Sequence, residues 1–475
     1  MKLRNGIVVL VTGLWVGLSG CSKKQQGAAP LVSNLTITEI AGYQALKTTL
    51  MKDGAAASPE VPIIAGKPMT LRAFVAPLDG YDGREVVVRF ELTSGGITNA
   101  IEVKQAFGGA SSEGDFASTA NLDLTAEQVT ADLTFAVSLR ETKKSKSTVE
   151  NPGAIYPPEG EIALGIKETG DQHIVVLPIQ YNADGSGRMP DTSPAMIESL
   201  RARMRAFYPV RDVQITVADP ISFTRQISAD GGNWDRLLET VLRKRYDDGV
   251  DNNVYYYGMF QPADSFEEFC GYGCVLGLSL GAPDEDTAWV RGSIGLGYPD
   301  KESESDITFV HEIGHAHGRD HAPCGGAQGV DRSFPYKNGG IGVWGFDATT
   351  KTLLDPQGEM RDMMGYCAPA WVSDYTYNAL YDRITYVNNV PQVAKAHKRW
   401  RTVIVNDKGA TKGGLIAAPS GGKVAYVERE TETQVEQIEA RFFPFDHLPG
   451  GMLLVPEDEA DSVIGTLSFR GVTIQ

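Results

Sequence analysis

Apolar-rich runs at Met69–Pro77 and at residues 85–92 and 131–139 are strand-length and are separated by clusters of Gly, Asp and Ser. Such spacing predicts an all-β region from about residue 31 to 165, with an immunoglobulin-like sandwich as the natural arrangement. Residues 143–158 are rich in charge and proline and predict a loop or linker. From about Asp171 the pattern changes to alternating strands and helices. Residues 173–181 form an apolar run, after which Ser193 as N-cap and Pro194 at the first helical position open a helix with Met196, Leu200, Met204 and Phe207 on one face. Strands are predicted at 212–218, 253–260, 275–280 and 290–296, and Trp234, Leu237, Leu238, Val241 and Leu242 mark a second helix. Ser373 caps a further helix bearing Tyr377, Leu380 and Ile384, and residues 392–475 read as a small β-rich tail. The expectation is an α+β multidomain chain: a sandwich at 31–165, a mixed region at 171–390 and the tail.

The chemistry is concentrated in one helix. His311, Glu312, His315, Gly318 and His321 fit H-E-x-x-H-x-x-G-x-x-H at every specified position. Residues four apart on a helix differ by about 40° of rotation and about 6 Å of rise, so His311 and His315 present their rings side by side to one ion. A ligand ten residues past His311 would lie about 15 Å up a continuous helix, so the chain must stop and fold back. Gly318 permits that, because glycine enters the left-handed conformation at low steric cost. Three neutral imidazoles leave the fourth tetrahedral position of a Zn2+ ion for water, the arrangement of a catalytic site. Glu312 is then placed to act as general base. His317, about 200° round the helix from His315, is expected to be a bystander.

These residues resemble the metzincin clan of zinc metallopeptidases, in which the long zinc motif is followed by a turn carrying methionine beneath the metal. Asp362-Met363-Met364-Gly365-Tyr366 follows His321 by about forty residues. The resemblance implies that Met364 is the Met-turn residue and that Tyr366 is a fifth ligand or oxyanion donor. It further implies a catalytic domain with a twisted sheet above a horizontal cleft. Residues 275–280 would be either the edge strand to which an extended substrate adds or a plain core strand. Residues 368–371 would form the wall of the pocket for the residue after the cleaved bond. The glycine-rich stretch 339–346 has no phosphate-loop pattern and reads as a packed loop near the cleft.

The amino terminus sets an expected address. Lys2 and Arg4 precede an apolar run over residues 7–18 that is short for a bilayer span, so residues 1–20 read as a cleavable signal. Leu18-Ser19-Gly20-Cys21 resembles the bacterial lipobox, which implies lipid on Cys21, a tether over residues 21–30 and membrane attachment through that lipid. Ser22 rather than Asp at the next position favours the outer membrane. In an exported chain, Cys270, Cys274, Cys324 and Cys367 are expected to form two disulfides, with three pairings open. Cys324–Cys367 with Cys270–Cys274 is favoured, because the first would clamp the loop after the third ligand to the Met-turn. No cysteine other than Cys21 precedes the catalytic region, which leaves none for a cysteine-switch latency.

The net charge of −16 argues against nucleic acid as partner. The acidic turn at 247–251 lacks EF-hand spacing, so calcium there is unsupported and a solvated turn is the better reading. The expected function is therefore a lipid-anchored zinc endopeptidase of the cell envelope or surface, acting on a protein or glycoprotein substrate. The alternatives are a catalytically idle adhesin or binding lipoprotein, and a zinc hydrolase of a non-peptide amide.

Overall fold

A computed structural model describes residues 29–142, 151–281, 283–299, 302–389, 399–417 and 421–475. The expected signal segment and Cys21 lie outside these residues, as does the 143–150 part of the expected linker. The fold is mixed α+β, with several sheets and few helices. Among the described residues no helix is long and apolar enough to cross a membrane.

Residues 31–166 build two antiparallel sheets around one core. Met69–Pro77 pairs with Leu35–Tyr43 on one side and Ala120–Leu124 on the other. In the second sheet Glu85–Ser94 lies between Ile97–Ala106 and Thr134–Glu141. The period-two pattern explains the stacking. Val86, Val88, Phe90 and Leu92 point inward against Leu35, Leu71 and Val75, while Arg89 and Glu91 face outward and pair with each other.

The middle region is a sheet in the order Val213–Val217, Gln172–Tyr181, Val254–Phe260, Gly292–Leu296, Gly277–Leu278. The first four strands are parallel and the last is antiparallel. Parallel strands need cover on both faces, and Val254–Phe260 shows how the sequence supplies it. Tyr255, Tyr257 and Met259 join a core with the helices Pro194–Phe207 and Glu302–Ala316. Tyr256 and Phe260 join a core with Trp234, Leu237 and Val241 of the helix Trp234–Asp248 on the opposite face. The strand expected at 275–280 is paired over only Gly277–Leu278, at the sheet's edge. Ser193 caps the first helix as expected, its side chain accepting from Met196 N.

The carboxy-terminal residues form a seven-stranded antiparallel sheet, curled so that its two edges meet at the bridge between Ala410 and Ile474. This half-barrel is docked tightly. Ile404, Phe443, Phe445, Met452 and Leu454 enter the core beneath the Trp234–Asp248 helix. Thr402 Oγ1 donates to Glu239 Oε1 at 2.6 Å in a buried contact. One segment of it reaches the edge strand, where Gly281 N donates to Pro444 O at 2.8 Å and Leu280 bridges Phe445.

Candidate metal centre

The motif helix Glu302–Ala316 ends in a Schellman turn. Gly318 sits at φ +83°, its N–H donates to His315 O at 2.7 Å, and Arg319 N donates to Gly314 O at 3.0 Å. This reversal brings His321 back to the helix it has just left. His315 Nε2 lies 3.1 Å from His311 Nε2 and 3.1 Å from His321 Nε2. All three rings are buried.

The second nitrogens decide what those contacts are. The Nδ1 atoms face backbone carbonyls: Met363 O for His311 at 2.7 Å, Arg319 O for His315 at 2.7 Å, and Gln328 O for His321. A carbonyl only accepts, so each Nδ1 carries the proton and each Nε2 presents a bare lone pair. Three lone pairs converging at this distance repel one another unless a cation sits among them. Burial, reinforced by the neighbouring rings, depresses the pKa of all three, His321 to about 4, so they are neutral near pH 7. The donor set thus fits a divalent ion with imidazole ligands whose orientation is fixed from behind. Among the described residues, the groups of side chains able to hold a metal are His311, His315, His321 and His447, and the overlapping set Glu312, Asp446 and His447. The acidic turn at 247–251 is not gathered into such a group. Asp248 instead accepts from the Tyr256 hydroxyl at 2.7 Å.

Glu312 is 1 % exposed. Its Oε2 accepts from the Ser279 hydroxyl at 2.7 Å, and the same hydroxyl lies 2.8 Å from Ser293 Oγ. Desolvation raises its pKa to about 8, opposed by the hydrogen bonds from Ser279 and Asp446. Gly277 makes room for it, since a Cβ there would stand 2.4 Å from Glu312 Oε1.

Beneath the rings, Met364 is buried with its Sδ under Gly314, where a Cβ would approach the sulphur to 2.5 Å. Asp362 holds this turn: one oxygen accepts from Met364 N at 2.8 Å and the other from Ser373 N at 2.9 Å. The disulfides Cys324–Cys367 and Cys270–Cys274 are the favoured pairing. The first ties the loop after His321 to the turn, alongside Ala322 N donating to Met364 O at 3.0 Å. His317 points away from the centre, with its ring stacked 4.3 Å from that of Tyr255.

Two residues at the centre were not expected there. Asp446 and His447 come from the half-barrel, whose sequence was read only as a β-rich tail. Both Asp446 oxygens accept from Ser279 N at 3.0 Å, and its Oδ2 lies 3.6 Å from His315 Nε2. Burial raises the Asp446 pKa well above the usual carboxylate range. His447 Nε2 lies 3.0 Å from Glu312 Oε1, close but poorly aligned for a hydrogen bond. Its Nδ1 is bonded to the Tyr366 hydroxyl, so the expected fifth ligand spends its hydroxyl on this histidine. The only signals in the sequence were the scarcity of histidine, seven in 475 residues, and the position of Asp446-His447 in a loop ahead of Pro449 and Gly450. A cleft of about 800 Å³ opens beside these groups. Residues 274–277, Met363, Tyr366 and residues 368–371 line it.

No curated protein matches the chain. Residues 289–386, which carry the three motif histidines, Glu312, Met364 and Tyr366 and stop short of Asp446 and His447, match the family model Peptidase M66, so this part of the chain is similar to a family of peptidases.

Proposed function

We propose that the protein is a zinc metalloendopeptidase with a metzincin-like catalytic region, carried behind an immunoglobulin-like sandwich and anchored to the cell envelope by lipid on Cys21. The observation that carries the catalytic reading is the convergence of the three Nε2 lone pairs of His311, His315 and His321 beside a buried Glu312. The similarity of residues 289–386 to a peptidase family supports it. The parallel sheet with one antiparallel edge strand above the motif helix supports the metzincin comparison.

His311, His315 and His321 would hold the ion. Zinc bound there would supply a Lewis acid for the scissile carbonyl and lower the pKa of water towards about 7. Glu312 takes the proton of the attacking water and returns it to the amine as the C–N bond breaks. Ser279 keeps one carboxylate oxygen occupied, which leaves Oε1 as the atom that exchanges the proton. An extended substrate lies along residues 274–277 where they line the cleft, and its side chain after the cleaved bond enters the cleft against residues 368–371.

The test is cleavage of a mixed protein library read by mass spectrometry, with wild type, chelated protein and Glu312→Gln. Products from wild type alone, with zinc retained by Glu312→Gln, are expected. Zinc binding without any peptide product favours an idle binding lipoprotein, and cleavage of glycan amides alone favours the non-peptide hydrolase.

A further inference from the structure

The half-barrel reaches into the centre through a short strand addition. Asp446 N donates to Ser279 O and Gly281 N to Pro444 O, so residues 444–446 extend the sheet beyond its edge strand. Phe445 is buried in the shared core between them. His447 is therefore held at the metal centre by a docked domain and not by a loose loop.

The tautomer of His447 follows from its partners. With Glu312 ionised, as the proposed reaction requires, Nε2 faces an acceptor and carries the proton, and Nδ1 accepts from the Tyr366 O–H. The side chain is 14 % exposed, and its ring stacks 5.3 Å from that of Tyr366. The Nε2–H lies off the line to Glu312 Oε1 and finds no well-formed hydrogen bond among the described residues. Its ring centre is 5.3 Å from that of His311 and 4.9 Å from that of His321. The ring thus flanks the imidazole triad, on the side where Glu312 delivers its proton. A buried N–H with spare donor capacity, aimed beside the reacting atoms and fixed from behind, is what stabilisation of a developing oxyanion requires.

We infer that His447, supplied by the half-barrel, is a catalytic residue of the proposed peptidase: its Nε2–H donates to the oxyanion that develops on the scissile carbonyl, with Tyr366 as the residue that positions it. This rests on the metallopeptidase reading. The proton of the attacking water still passes to Glu312 and then to the leaving amine, and no bond to His447 forms or breaks. The consequence is that the active site spans two regions of the chain and is incomplete within residues 289–386.

The test compares wild type, His447→Ala, His447→Gln and Tyr366→Phe for zinc content, for binding of a small thiol that needs only the metal, and for binding of a phosphinic peptide that mimics the tetrahedral oxyanion. One zinc per chain and thiol affinity within about twofold are expected throughout. Phosphinate affinity is expected to fall on the order of 100-fold in His447→Ala, as for loss of an oxyanion donor, and by clearly less in His447→Gln, which keeps an N–H, and in Tyr366→Phe. Unchanged phosphinate binding in His447→Ala overturns the inference and leaves the peptidase reading intact. Loss of zinc from His447→Ala, with the fold retained, also overturns it by making His447 a ligand. A wild-type chain that takes up no zinc defeats both.

Discussion

Gly277→Ala places a single methyl against Glu312, the proposed general base. The Cβ would stand 2.4 Å from Glu312 Oε1, 2.5 Å from Cγ and 2.6 Å from Cδ, where ordinary contact begins at 3.4 Å. Gly277 does not have a positive φ, so alanine costs no backbone strain and the whole effect falls on packing. The strand has little freedom to retreat, because Gly277 pairs with Gly295 and Ser279 is tied to Asp446. Glu312 must therefore withdraw by about 1 Å, away from both Ser279 and the attacking water, and a displacement of that size typically costs about 100-fold in rate. The three imidazoles are untouched. The assay is kcat/KM on a peptide substrate together with zinc content and thermal midpoint. A loss of about two orders of magnitude with zinc retained is expected. Full activity, or loss of zinc in parallel with activity, would refute the reasoning that Gly277 exists to seat this carboxylate.

Ser279→Ala removes a 2.7 Å hydrogen bond to a charged group, and kcat/KM should fall roughly 10- to 100-fold, the equivalent of about 1.5–3 kcal/mol; an unchanged rate would mean that Ser279 only packs. In zinc-free protein Glu312 binds its proton more tightly folded, near pH 8, than unfolded, near 4.5. Its contribution to stability is therefore lost as pH rises through that window. Depressed histidine pKa values act in the opposite direction only below their unfolded value of 6.5. Chemical denaturation between pH 6.5 and 8 should show wild type losing stability relative to Glu312→Gln as pH rises, and a constant difference between the two proteins would contradict this. Lys67 is buried with its Nζ on Tyr208 O and its pKa lowered to about 7 by desolvation. The unfolded chain binds its proton up to about 10.4, so wild type should gain stability relative to Lys67→Met as pH rises from about 7 to 10, and a constant difference would contradict this. Cys367→Ser frees the loop between His321 and the turn at Met364 and should lower the thermal midpoint and zinc affinity together; a change in the first alone would mean that the disulfide does not support His321.

The parts of the centre that lie close together in sequence were legible because helix geometry fixes them. A spacing of four from His311 to His315, and a glycine that lets the chain reverse before His321, leave few other arrangements. Met364 was read only through the resemblance to the metzincin clan, and the Cys324–Cys367 pairing through the expectation that the loop after His321 is clamped to the turn past Met364. Ser279 and Gly277 were not legible: they sit on a strand whose register against Gly292–Leu296 sets which side chains face Glu312, and a two-residue pairing leaves no periodicity to read. Asp446 and His447 were missed for a stronger reason. They arrive through a docking contact made by Phe445 and its neighbours in a core shared with the Trp234–Asp248 helix, and nothing local to residues 444–447 encodes where that face will land. The four parallel strands of the middle sheet were traced, but the short Ile221–Phe223 beside Gln172–Tyr181 was not, and the edge was overextended because the apolar run 275–280 buries side chains without forming a continuous ladder.

The central claim is that His311, His315 and His321 grip one zinc ion and leave a position open. X-ray absorption at the zinc edge on the loaded full-length chain tests it most directly. Three imidazole nitrogens at about 2.0–2.1 Å with one further light-atom ligand are expected, reduced to two imidazoles or to no bound zinc in His321→Ala. A wild-type protein that takes up no zinc, or whose zinc has a ligand set unaffected by His321→Ala, would contradict the account.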